Sequence, residues 1–159
     1  MGEPGLLVRA ARVDDIAEIV ALVNLAYEVE RFFVAGNRTH ADEIRRLVAS
    51  ESVRVGIGED GAIAGCVAIG SRGERGHFGL LAVAPDQQHR GWGRRLIAAA
   101  EGEARRLGQR EMEIDVVNLR RDLIDLYGRL GYDQIATAPY VIDRPVIVPC
   151  HFVVMTKSL

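Results

Sequence analysis

Lysine is nearly absent from this chain: among 20 basic residues Lys157 is the one lysine. A phosphate loop of the Walker type ends in Gly-Lys-Ser/Thr, so that mode of nucleotide binding is excluded. Cysteine is scarce as well. Cys66 and Cys150 each sit in an apolar, strand-like run and read as buried thiols. They make neither a disulfide framework nor a Cys/His cluster at metal-ligand spacing, so no metal is expected. No apolar run approaches the ~20 residues that a membrane span needs. Met1-Gly2-Glu3-Pro4-Gly5 lacks the basic flank and apolar core of a secretory leader. Leu6 stands where a myristoylation signal needs Ser or Thr. A net charge of −2 gives no general attraction to nucleic acid. Together these absences point to a cytoplasmic protein of a reducing compartment, with no nucleic-acid and no membrane partner.

What is present is an ordinary globular composition, 48% hydrophobic and 26% charged over 159 residues. That suits one domain over 1–159, large enough to bury roughly 70% of its unfolded surface. The most informative stretch runs from Leu80 to Leu96. Leu80 to Ala84 is a short apolar run, as in a strand covered on both faces. Pro85 and Asp86 stop it. From Arg94 the period becomes helical, with Leu96, Ile97, Ala100, Ala104 and Leu107 on one face and Gly108 as the stop. A helix N-terminus carries about half a positive charge and several unpartnered N–H groups. Gly91 and Gly93 clear the approach to that backbone, and Arg90, Arg94 and Arg95 add charge. Two readings stand: a phosphate or pyrophosphate cradle, or a Gly-rich corner with a solvated basic rim. A dinucleotide fingerprint is excluded, because its third glycine is Leu96 here.

Taken in order, Leu6 to Ala10 reads as a strand, followed by a helix from Asp14/Asp15 to about Val29. A second, shorter helix starts with Thr39 as its cap. Val53 to Gly58 and Ala62 to Gly70 form a hairpin across Glu59-Asp60-Gly61. Ser71 to Gly76 is a turn into the central strand. After the long helix come a strand at Glu111 to Val117, a helix at Leu119 to Leu130 capped by Asn118, and strands at Tyr132 to Ala136 and His151 to Thr156. This order predicts an α+β fold, its sheet antiparallel early and covered by helices on both faces. There is no internal repeat.

Gln88-His89-Arg90-Gly91-Trp92-Gly93, set between a strand and a long helix, resembles the acetyl-CoA turn of the GNAT superfamily of N-acetyltransferases. Asn118, then Leu126-Tyr127, then Leu130-Gly131-Tyr132 is similar to the closing segment of that family. The element order is similar from end to end. The resemblance implies a GNAT-like three-layer domain with a mixed, mostly antiparallel sheet, and transfer of an acetyl group from acetyl-CoA to a primary amine. It implies cofactor contacts from Gln88 through Arg95, from the bulged strand at Leu81, Ala82 and Val83, and from Asn118. It casts Tyr127 as the donor of a proton to the leaving thiolate. Asp122 departs from the pattern, which has a small residue there.

The residues also bear their own readings. A phenol near ~10 and a thiol near ~8.5 are close in acid strength, which suits proton transfer from Tyr127. The alternative is a core tyrosine whose hydroxyl is satisfied. His77, at the start of the central strand, is a candidate base, or simply a surface histidine. Tyr27, Phe32, Phe33 and Tyr140 are candidates for the acceptor wall, or for core and dimer contacts. An apolar last strand, Cys150 to Met155, placed at a sheet edge would favour a homodimer. The rival functional class is an acyl-CoA-binding module without turnover. The identity of the amine is not written in the sequence.

Overall fold

The structure is a computed structural model that describes residues 7–159. Its elements are β1 (Leu7–Ala10), α1 (Ile16–Ala26), α2 (Ala41–Ala49), β2 (Val53–Ile57), β3 (Ile63–Arg72), β4 (Arg75–Val83), α3 (Trp92–Arg106), β5 (Glu111–Val117), α4 (Arg121–Arg129), β6 (Asp133–Pro139) and β7 (His151–Ser158). A 3-10 turn, Tyr27–Glu30, continues α1. The strands form one seven-stranded sheet in the order β1-β2-β3-β4-β5-β7-β6. Every neighbouring pair is antiparallel except β4 and β5. This is the expected α+β architecture.

One sheet face packs Leu96, Ile97, Ala100 and Ala104 of α3 and Tyr127 of α4. The other packs Ile16, Ile19 and Val23 of α1 and Ile44 and Val48 of α2. Helix α3 can lie close because the strands beneath it are small. A side chain at Gly56 would strike the Trp92 ring, and one at Gly65 would meet Leu96 Cδ1 at 2.9 Å. Trp92 is therefore wedged over β2 and only 2% exposed, which fixes the start of α3 against the sheet.

The central irregularity is in β4. Cys66 faces Ala82 and Ala68 faces Gly79, so Leu80 and Leu81 together oppose Val67. This is a β-bulge. Leu80 takes a left-handed φ of 51° to accommodate it. The extra residue reverses the strand's facing. Phe78 belongs to the core under α3, whereas Leu80 and Ala82 belong to the core under α1 and α2. β4 pairs with β5 only at Gly76–Met112 and His77–Glu113. Beyond that point the two strands splay.

Several local expectations are corrected. The cap of α2 is His40, whose Nδ1 accepts from the Glu43 N–H at 3.4 Å. The Thr39 hydroxyl instead donates to Glu43 Oε1 at 2.5 Å. Asn118 does not cap α4. Its Oδ1 accepts from the His151 N–H at 2.8 Å and its own N–H donates to His151 O at 2.9 Å, tying β5 to β7. The turn before β4 shrinks to Gly73 and Glu74, because Arg72 and Arg75 already pair. Leu107 ends α3 55% exposed rather than inward. β7 lies between β5 and β6, so the sheet edges are β1 and β6. Leu6 lies outside the described residues.

Candidate active site

The turn into α3 is built from main chain. His89 and Gly91 both adopt left-handed backbone, with φ of 63° and 83°. Gly91 is the N-cap of α3; no side chain caps the helix and no acidic residue sits in its first turn. Its first N–H groups and its dipole are thus left for an anion. A Cβ at Gly91 or Gly93 would meet nothing within 4 Å, so the turn is open to an approaching diphosphate. Arg90 and Arg94 are exposed beside it, and Arg95 is half-buried. The residues present fit the diphosphate of coenzyme A. Gln88 folds back, its Nε2 donating to Val83 O at 3.4 Å. The side chain of Trp92 is committed to the core, so only its backbone serves the turn.

The splay between β4 and β5 opens into a cavity of ≈ 390 Å³. Leu81 and Tyr127 line it, together with Ile114 and Val116 of β5. Ala82 is buried and faces the α1–α2 core, and Val83 packs on the α3 side. Tyr127 is 6% exposed and packs its ring against Phe78 and Tyr132, with centroids 6.0 and 5.8 Å away. Among the described residues its hydroxyl has no hydrogen-bond partner. The neighbouring Tyr132, by contrast, donates to buried Glu101 at 3.1 Å. Burial pushes the Tyr127 hydroxyl well above the usual phenol range.

On the other side of the gap the cavity is walled by Tyr27, Glu30, Arg38, Arg120, Tyr140 and Arg144. Glu30 is 5% exposed, and its Oε2 accepts from Arg120 Nη1 at 2.8 Å. Desolvation raises its pKa, and Arg120 opposes that rise only in part. Burial likewise pushes the Tyr27 hydroxyl up to about 12. Asp115 of β5 also reaches the cavity. His77 at 3.9 Å, and then the fork of Arg72 at 2.8 and 3.0 Å, hold its carboxyl down at about 2.

The structure brings Tyr27, Leu81, Tyr127 and Tyr140 to one cavity. It does not bring all the candidates there. His77 is held by Arg72 at 3.0 Å, beside Asp115, and is not on the cavity wall. Phe33 is fully buried in a small core with Val34 and Val117, while Phe32 is 56% exposed and sets its ring edge-on to Phe33. Asn118 uses its Oδ1 on the His151 N–H and is not among the residues lining the cavity. Glu30, Arg38, Asp115, Arg120 and Arg144 went unnoticed in the sequence. Asp115 left a trace, since Glu113 and Asp115 alternate with Met112, Ile114 and Val116 and so mark a polar strand face. The others left none.

No curated protein sequence matches the chain significantly. Similar folds include N-acetylglutamate synthase from Neisseria gonorrhoeae complexed with coenzyme A and N-acetyl-glutamate, at 20% identity and a TM-score of 0.75. That match covers 99% of this chain but 36% of the other, so the chain spans about a third of that protein. A GCN5-related N-acetyltransferase from Kribbella flavida aligns over 98% of both chains at 22% identity, with a TM-score of 0.75. The yncA protein of Salmonella typhimurium, solved with its cofactor acetyl-CoA, aligns over 97% of this chain and 94% of its own at 23% identity and 0.74. Likeness at this identity shows the fold. The model of the Acetyltransferase (GNAT) family matches residues 17–132, which takes in both the α3 turn and Tyr127. The open glycine turn and the splayed strands thus lie inside the matched region, and the chain belongs to the GNAT family of acetyl-CoA-dependent N-acetyltransferases.

Proposed function

We propose that this protein transfers the acetyl group of acetyl-CoA to a primary amine, on a small molecule or on a protein N-terminus or lysine, with both substrates bound at once. The observation that carries this reading is Tyr127: a buried tyrosine that lines the cavity and whose hydroxyl has no hydrogen-bond partner among the described residues. A packing residue would have its hydroxyl satisfied. The continuity of the cavity from Leu81 and Tyr127 to Tyr27 and Glu30 supports direct attack in a ternary complex. The Neisseria protein of similar fold was solved with coenzyme A and N-acetyl-glutamate together, which supports the same reading.

Acetyl-CoA supplies an acetyl group activated as a thioester. The α3 turn, from Gln88 through Arg95, holds its diphosphate. The edge of β4 at Leu81 and Val83, freed by the bulge and the splay, holds the peptide-like arm. Tyr127 is protonated at neutral pH and would give its proton to the sulfur as the C–N bond forms and the C–S bond breaks, while the amine nitrogen loses its proton to water and Tyr127 is reprotonated from solvent. Burial disfavours a bare thiolate in the same way, so donor and leaving group stay close in acid strength.

Calorimetry with acetyl-CoA, followed by thiol release over a panel of primary amines, tests the proposal. No heat at millimolar acetyl-CoA overturns it. Binding without thiol release from any amine makes the protein an acyl-CoA-binding module instead. The reading also includes a cytoplasmic homodimer. Exposed Ile147 is tied beside exposed Phe32, its N–H donating to Phe33 O at 2.7 Å, and would be part of such an interface. The mass of the calorimetry sample in solution decides the dimer.

A further inference from the structure

The acceptor half of the cavity carries more cation than its carboxylates use. Arg120 is consumed by Glu30 at 2.8 Å and by Asp122 at 2.9 Å. Asp115 is consumed by Arg72, and Glu43 accepts from Thr39. That leaves Arg38 and Arg144, neither of which makes an ion pair among the described residues. Arg38 lies over the Tyr27 ring, 5.2 Å from its centroid. Among the described residues Arg144 Nη2 reaches only the Tyr140 hydroxyl, at 3.5 Å, which is a weak contact. Both are half-buried. The remaining acid, Asp143, stands exposed.

The two arginines come from segments that the backbone joins. Ala35 N–H donates to Pro145 O at 2.9 Å, and Val34 bridges Val146. Arg38 follows the first contact by three residues and Arg144 precedes it by one, so both guanidinium groups belong to one wall of the cavity. Glu30 is in the same cavity with one carboxylate oxygen, Oε2, on Arg120 and the other, Oε1, without a partner among the described residues. A buried carboxylate with a vacant oxygen suits an ammonium group and its proton. Two unpaired guanidinium groups suit a carboxylate, which they can bind through two N–H donors each.

We infer that the acceptor is an amine that also carries a carboxylate, an amino-acid-like molecule, with its nitrogen at Glu30 and its carboxylate between Arg38 and Arg144. The inference rests on the acetyl transfer proposed above and narrows it to one class of amine. It disfavours polyamines and protein N-termini, which would leave both arginines unsatisfied in the closed site.

The test is thiol release with acetyl-CoA over matched acceptors: leucine against leucinamide and isoamylamine, phenylalanine against phenethylamine, lysine against cadaverine, with glutamate added. At least one carboxylated member should exceed its decarboxylated or amidated partner by more than about tenfold in kcat/KM, the scale of a charge-assisted hydrogen bond. In Arg144→Gln and Arg38→Gln that ratio should collapse toward one through a rise in KM for the carboxylated acceptor. Acetyl-CoA affinity, read by calorimetry, reports that each variant is folded. If every pair stays below tenfold, or favours the uncharged partner, the inference is overturned while acetyl transfer stands. If no amine releases thiol, the acetyl-transfer reading itself has failed.

Discussion

The turn that opens α3 is made of main chain, and the wall around Glu30 is made of side chains. At the turn, left-handed His89 and Gly91 and open Gly93 present N–H groups of the helix start, and the side chain of Trp92 is turned away into the core. At the wall, Tyr27, Glu30 and Arg38 come from the end of α1 and the chain after it, Arg120 from the start of α4, and Tyr140 and Arg144 from the loop between β6 and β7. A diphosphate is the same in every acetyl-CoA, so one local run of glycines can recognise it. An acceptor varies from enzyme to enzyme, and its pocket is assembled from distant segments that can change independently. Tyr127 sits where the two constructions meet.

Substitutions can separate the two halves, and the largest effect is expected at that junction. Tyr127→Phe keeps the ring against Phe78 and Tyr132 and removes the proton donor, so folding should be retained. General-acid help is worth ~10²–10⁴ in rate, and kcat should fall by that much while acetyl-CoA affinity is nearly kept. Steady-state kinetics with an identified acceptor decides. A kcat within about threefold of the parent would make Tyr127 a packing residue and return the proton to water.

The next effect is confined to the cofactor half. Gly91 is the less informative target, because its φ of 83° would strain any other residue and mix folding with binding. Gly93 has ordinary helical backbone and open space where a Cβ would be. Gly93→Val should therefore fold, yet put a branched side chain where the diphosphate approaches. Acetyl-CoA affinity should weaken by about tenfold or more, a loss of ~1.4 kcal/mol, with the preference among acceptors unchanged. Unchanged affinity would mean that the diphosphate lies elsewhere.

The same division explains what the sequence disclosed. The order of strands and helices was legible from periodicity and from turn residues, and so was the antiparallel start of the sheet; the single parallel pair, β4 with β5, was not. The α3 turn was legible because its chemistry is contiguous: Gly91 and Gly93 stand beside the helix they open. Asn118 misled, because a residue that suits a helix cap was taken by the β5–β7 connection. His77 misled because its partners, Arg72 and Asp115, lie on neighbouring strands. Glu30 and Arg120 are 90 residues apart, and nothing local to either one announces their 2.8 Å contact. Arg144 sits in the loop between β6 and β7, and nothing local to it announces a place on the cavity wall.

The smallest effect is on stability, and it probes the polar side-chain contacts of the acceptor half. Asp115 has a folded pKa of about 2 against a model-peptide value near ~3.9. A lowered carboxylate stabilises the fold at pH values above its unfolded pKa, and that contribution is lost as pH falls from about 4 toward 2. Glu30 acts in the opposite sense. Its folded pKa is raised by desolvation, so its contribution is present at low pH and is lost as pH rises through the folded value. The α3 turn uses backbone groups that do not titrate. Acid should thus loosen the strand contacts beside the acceptor wall while the cofactor turn stays ordered. In Asp115→Asn the Arg72 fork loses its charge partner, but Arg72 keeps Glu113 at 2.9 Å and is 46% exposed, so water screens most of the loss. The cost at pH 7 should be about 1 kcal/mol or less, a drop of roughly 2–4 °C in Tm at most. Thermal melts of parent and variant between pH 7 and pH 3 should converge as the parent loses the contribution that the variant never had. Parallel melting curves across that range would show that Asp115 carries no linked stability.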